Sequence, residues 1–139
     1  MFDAKSLKIL EYDKILEMLA AHAQSEGGKA ACRALLPSET PEGAEAALAL
    51  TAEADRVLFE FSVNPSFAVD ELEEPLAKAK KGAVLSIGEL LRVARVLRVA
   101  RRVKKSVSAV PGVPLLSEMT GRLFVDEKLE KELFDAFIS

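Results

Sequence analysis

From Leu85 to Val110 the chain reads L-S-I-G-E-L-L-R-V-A-R-V-L-R-V-A-R-R-V-K-K-S-V-S-A-V. Leu90, Ala94, Leu97 and Ala100 fall on one side at helical spacing, and Val93, Val96, Val103, Val107 and Val110 widen that side into a broad apolar face. Ser86 and Glu89 form an S-x-x-E capping box, which predicts a helix beginning just after Ser86. Arg95, Arg98, Arg102 and Lys105 follow one another at spacings of three and four, with Arg92, Arg101 and Lys104 beside them. No acid occurs from Leu90 through Ser117. The pattern predicts one long helix with a covered apolar face and a positive ridge.

Shorter helical patterns surround it. Tyr12, Ile15, Leu16, Leu19 and Ala23 predict a buried stripe on a helix from about Tyr12 to Ala23, with Leu7, Ile9 and Leu10 leading into it. Ser25 is placed to cap a second helix that runs through Leu36 and stops at Pro37. Thr40 and Pro41 make an N-cap and first-turn pair for a third helix reaching about Phe61. Its inner side is expected to carry Ala47, Leu50, Ala54, Val57, Leu58 and Phe61. Ser62 to Val69, with Asn64-Pro65, reads as a loop. Asp70 and Glu73 form a second capping box for a short helix, although Pro75 predicts a kink or a later start near Glu74. Lys80-Lys81-Gly82 should end it.

After the long helix, Pro111-Gly112-Val113-Pro114 is a break. Leu115 to Thr120 reads as one or two turns stopped by Gly121, and Asp126 as the cap of a last helix with Leu129, Leu133, Phe134, Phe137 and Ile138. That last pattern reaches Ser139 without a glycine, proline or polar tail, so the chain is expected to be the front portion of a longer polypeptide, with Phe134, Phe137 and Ile138 exposed. No strand alternation persists. The expected fold is all-α, an irregular helical bundle forming one domain over residues 1–139. Within it about 1–61 would hold three helices, 70–110 the short and long helices, and 115–139 the last ones.

Composition alters this picture in two respects. Half of the 139 residues are hydrophobic, enough for a core. The net charge of -3 is unevenly spread: from Glu39 to Glu74 there are ten acids and one base, Arg56, and the basic segment follows. Cys32 is the only cysteine, which excludes an intrachain disulfide and fits a cytoplasmic setting. No signal-peptide core opens the chain and no membrane-spanning run occurs in it.

Catalytic chemistry finds little to work with. His22 is the only histidine, so any triad or Cys–His pair would have to use it, and it lies among alanines. A zinc site lacks the usual ligands. Glu73-Glu74 and Asp126-Glu127 sit at helix starts, where complementarity to the helix dipole accounts for them. Ser25-Glu26-Gly27-Gly28-Lys29-Ala30 is not a phosphate loop: Ala23 stands where the first glycine belongs, and Ala30 follows the lysine. No catalytic, cofactor or metal residue is assigned.

Two stretches carry a resemblance. Leu10-Glu11-Tyr12-Asp13-Lys14-Ile15, followed by Leu19, His22, Gly28-Lys29 and Leu36-Pro37, resembles the amino terminus of the Smr-carrying branch of the MutS ATPases, MutS-II. From Leu76 to Lys104 the L-x-x-A-x-x-G-x-x-L-S-x-x-E-L-L core, then Leu97-Arg98 and Ala100-Arg101-Arg102, is similar to the same family in the same order. Family members often have proline just after the serine of this second motif, where this chain has Ile87-Gly88.

The resemblance covers essentially the whole chain. It implies a segment of the helical core and lever region, followed in the family by an ABC-type ATPase domain that also dimerises and by an Smr nuclease domain. ATP and magnesium would belong to those later parts. Family roles include binding branched DNA to restrain recombination and, in some bacteria, acting on collided ribosomes. The segment itself is expected to be non-catalytic and to meet the remainder of its parent chain. Arg92, Arg95, Arg98, Arg101, Arg102, Lys104 and Lys105 are the candidate contacts, either to nucleic acid or to the missing domains. About four phosphate contacts would give a log–log salt slope of roughly -3 to -4. The alternative is a free-standing helical interaction module whose ridge binds an acidic partner.

Overall fold

The computed structural model describes residues 3–137, and these form helices with no strand among them. The chain divides between Asn64 and Pro65 into two compact units.

The first unit begins with α1 (Ala4–Ile9), a short helix capped by Asp3 that buries none of its residues. It was not expected as a helix, because an apolar stripe is the signal sought and α1 has none. Next comes α2 (Tyr12–Ala20). It ends three residues before the expected Ala23, since the backbone tightens there: the N–H of His22 donates to the Leu19 carbonyl, and that of Ala23 to Ala20. Only Leu16 and Ala20 of α2 are buried, while Ile15 and Leu19 stay exposed. α3 (Glu26–Arg33) starts at its predicted cap, where the Ser25 hydroxyl accepts from the Gly28 N–H at 3.0 Å. It packs on α2, and Arg33 Nε donates to Glu17 Oε1 at 2.8 Å across the pair. The Tyr12 hydroxyl donates to the Leu35 carbonyl at 3.0 Å, tying down the segment beyond α3.

Thr40 caps α4 (Pro41–Asp55) as expected, accepting from Gly43 N–H. The helix then widens into a π-type turn, Arg56–Glu60, instead of running regularly to Phe61. Of the residues expected inside, Val57 is buried while Ala47 and Leu58 are exposed, and Glu53 is buried in addition.

In the second unit, α5 (Glu73–Lys80) lacks the expected cap from Asp70. The Asp70 carboxylate instead accepts from Arg95 Nε at 2.8 Å, an ion pair across 25 residues of sequence. Pro75 therefore falls in the first turn, where no backbone donor is lost, and it is fully buried. The end of α5 is a Schellman arrangement: Ala83 N–H donates to the Lys78 carbonyl, Gly82 N–H donates to Ala79, and Gly82 takes φ 77°.

α6 (Ile87–Ser108) is the long helix, with both halves of the Ser86–Glu89 box formed. Ala94, Leu97, Val103 and Val107 are its buried residues. α7 (Pro114–Gly121) and α8 (Glu127–Asp135) both pack on it. Val113, at the entry to α7, is fully buried. Thr120 satisfies its buried hydroxyl on the Leu116 carbonyl at 2.9 Å. α8 begins at its predicted cap, Asp126, but ends at Asp135. Phe134, expected to be exposed, is half-buried under a cation from α6, and so is Phe137 half-buried. Ile138 lies outside the described residues.

A candidate interaction surface on the long helix

Seven cations on α6 were marked by spacing, and the structure sorts them into three groups. Arg95, Arg98 and Arg101 are already engaged. Arg95 holds Asp70, as described. The Arg98 guanidinium lies over the Phe134 ring at 4.0 Å from its centroid, a cation–π contact. Arg101 grips Glu130 through two nitrogens, Nε to Oε1 and Nη2 to Oε2, each at 2.9 Å. The fork matches the carboxylate edge, and that carboxylate holds the guanidinium charged above its ordinary range. Acids are absent from α6 beyond Glu89, so these partners come from elsewhere in the fold and could not be read from the helix alone.

Arg102 and Lys105 are exposed and form no ion pair among the described residues. They continue the Arg95–Arg98 row into solvent. Arg92, exposed, and Lys104, half-buried, are likewise unpaired among the described residues. They belong to a different row. Arg92, Val96, Ala100 and Lys104 are four residues apart in turn, a row that winds by about a third of a turn over its length, so the two cations face different directions about an apolar centre.

That apolar centre lines a groove of about 420 Å³. Val93, Val96, Leu97 and Ala100 form its α6 wall. Leu72 and Leu76 approach from the α5 side, Leu123 and Phe124 from the segment leading into α8, and Leu129 from α8 itself. Phe124 is 70% exposed and Leu76 55% exposed. Sequence reasoning assigned the wall of this groove to the core and missed the groove itself. Three separate segments make it, and none carries a signal alone.

At the start of α6 the Glu89 carboxylate accepts from the Ser86 backbone N–H at 3.1 Å and from Lys78 Nζ at 3.2 Å. The Ser86 backbone bond chiefly holds it below the usual carboxylate range, against burial that pushes it up, with the Ser86 hydroxyl and Lys78 adding to the lowering.

Among the described residues, no group of three or more His, Cys, Asp and Glu side chains is placed to hold a metal ion. His22 is exposed and Cys32 half-buried. Glu73 and Glu74 occupy the first turn of α5, and Asp126 caps α8 by accepting from Leu129 N–H at 3.0 Å. No described helix is long and apolar enough to cross a membrane.

The chain is similar to known proteins along most of its length. Endonuclease MutS2 of Clostridioides difficile is 30% identical over 139 residues, covering 97% of this chain and 18% of that protein. The protein of the same name from Geobacillus thermodenitrificans is 33% identical over 133 residues, covering 93% and 17%. The chain belongs to the MutS2 family. A further MutS2 endonuclease, from Exiguobacterium sibiricum, is 38% identical over 102 residues, covering 73% of the chain and 13% of the relative. The chain thus spans less than a fifth of the length of the MutS2 proteins it matches. No family model and no solved structure matches it.

Proposed function

We propose that this chain is the amino-terminal helical core segment of a MutS2 protein, a scaffold with no catalysis of its own, whose α6 ridge meets nucleic acid. The whole protein would be a cytoplasmic ATPase and nuclease, with ATP and magnesium held outside this segment, acting on branched DNA and on collided ribosomes. The relatives' name supports the nuclease parent. The observation that carries the ridge reading is the pair Arg102 and Lys105, exposed and unpaired on a helix free of acids beyond its first turn. Cations so placed attract phosphates by releasing counterions, a contribution that salt weakens.

The test is a titration of a labelled four-way DNA junction at low and moderate salt, with wild type and Arg102→Glu/Lys105→Glu. Two contacts predict a log–log salt slope of roughly -2, lost in the variant. Equal affinity of the two proteins for the junction overturns the reading.

A second reading, a helical interaction module with a protein partner, is favoured by the exposed Phe124 and Leu76 beside α6.

A further inference from the structure

We infer that the outer face of α4 is a docking site for a basic amphipathic helix of another polypeptide, held by Leu48 and Phe59 and selected by Glu45 and Asp55. The proposal concerns the first unit and depends on neither reading of the α6 surface.

Little of α4 is covered. Ala47, Leu48, Ala49 and Leu50 follow one another at intervals of about 100°, so apolar side chains point to all four sides of the helix. A helix that is apolar all round is normally covered all round. α4 nevertheless buries only Glu53, and in its unit it packs chiefly on the π-type turn that continues it. Leu48, Thr51 and Asp55 recur at spacings of three and four, and Phe59 follows four residues later on the π-type turn. At helical spacing these four lie within about a quarter of a turn of one another, on the side away from the buried Glu53 and Val57. Leu48 is 68% exposed and Phe59 79% exposed. They stand eleven positions apart, about 16 Å along the axis. Two apolar anchors therefore share one side at a separation that a second helix lying alongside can span.

Charge decides what the second helix is. Glu45 lies one turn before Leu48, and Asp55 one turn before Phe59. Both acids are exposed, and neither has an ion-pair partner among the described residues. Arg56, the one base of α4 and its π-type turn, is turned to Glu60 at 3.1 Å and to the Phe61 ring. A second copy of the chain does not suit this face. Laid parallel, it sets Asp55 against Asp55. Laid antiparallel with the anchors in register, it brings both Asp55 carboxylates within about two residues of the two-fold axis, where like charges repel. Phosphate backbones and anionic lipid surfaces are repelled for the same reason. A helix with two large apolar residues about three turns apart, and a Lys or Arg one turn from each, fits both the anchors and the acids. Covering Leu48 and Phe59 supplies most of the attraction, and the cations select the partner.

The experiment uses the whole chain and two fluorescent synthetic helices, each with two leucines at the separation of the anchors. One carries lysine one turn from each leucine, and the other carries glutamate there. Fluorescence anisotropy is expected to show the Lys peptide binding at least about tenfold more tightly at low salt, a preference that rising salt erodes. Glu45→Lys/Asp55→Lys should reverse the preference. Leu48→Gln/Phe59→Gln should weaken the Lys peptide at least about tenfold, with helix content by circular dichroism unchanged because both side chains are exposed. Equal binding of the two peptides overturns the proposal. So does a Lys peptide held as tightly by the anchor variant as by wild type, which would reduce the contact to charge alone. A preference unchanged in the charge-reversed variant overturns it too. Light scattering that shows a wild-type dimer and a monomeric Leu48→Gln/Phe59→Gln would assign the face to a second copy, with the same result. None of these variants touches Arg102 or Lys105, so the DNA reading stands or falls on its own titration.

Discussion

Removing one carboxylate should loosen α8 from the long helix. α8 has nine residues, and Glu130 is its one buried residue. Its most buried contact with α6 is therefore a charged one. Arg101 and Glu130 retain side-chain exposures of 29% and 12%, so the pair is half sheltered. Hydrogen bonds to charged groups contribute about 1.5–3 kcal/mol, and remaining solvent contact on Arg101 lowers the expected value to about 1–2 kcal/mol. Glu130→Ala costs this and strands a guanidinium against a helix face, whereas Arg101→Ala/Glu130→Ala removes both charges. A double-mutant cycle by urea unfolding should give a coupling of about 1–2 kcal/mol. In a unit of this size that corresponds to a fall in Tm of about 4–16 °C for Glu130→Ala. Amide exchange should quicken across 127–135 before it quickens in the middle of α6. A coupling below about 0.5 kcal/mol would refute the reasoning and assign α8 to its apolar residues, Leu129 and Phe134, instead.

Two further predictions concern the ends of α5 and α6. The folded-state value of the Glu89 carboxyl is depressed, so its stabilising effect is complete above the ordinary carboxylate range and lost as pH falls through the depressed value. Circular dichroism should show Glu89→Gln losing less helix between neutral and acid pH than wild type, and superimposable acid profiles would disprove the linkage. Gly82 sits at φ 77° with nothing within 4 Å of an added Cβ, so Gly82→Ala should cost about 1 kcal/mol from backbone strain alone. An unchanged urea midpoint would contradict that geometry.

What the sequence conveyed was mostly local. Ser25, Thr40, Ser86 and Asp126 cap their helices because the acceptor and the waiting N–H lie within three residues of each other. Asp70 has the same local chemistry and a different fate. Arg95, distant in sequence, claims its carboxylate, and no short window contains that competition. The same limit applies to the ridge. Counting charges within α6 gives a continuous positive stripe, whereas Asp70, Glu130 and Phe134 arrive by folding and occupy three of its seven cations. The π-type turn at the end of α4 also escaped, since nothing in R-V-L-F-E distinguishes it from an ordinary helical turn. The all-α class was legible because it depends on periodicity. The groove was not, because it depends on where three segments meet.

The buried positions of α6 do not stay on one side of it. Ala94 and Leu97 are covered early in the helix, and Val103 and Val107 later. Six residues from Leu97 to Val103 make about one and two-thirds turns, so the two covered stretches face different directions. A rod gripped from two directions at successive heights cannot spin in place without breaking one grip. Torque applied at Ser86 would therefore reach Ser108 with little lost to slippage, because rotation of either end must carry α7 or α8 with it.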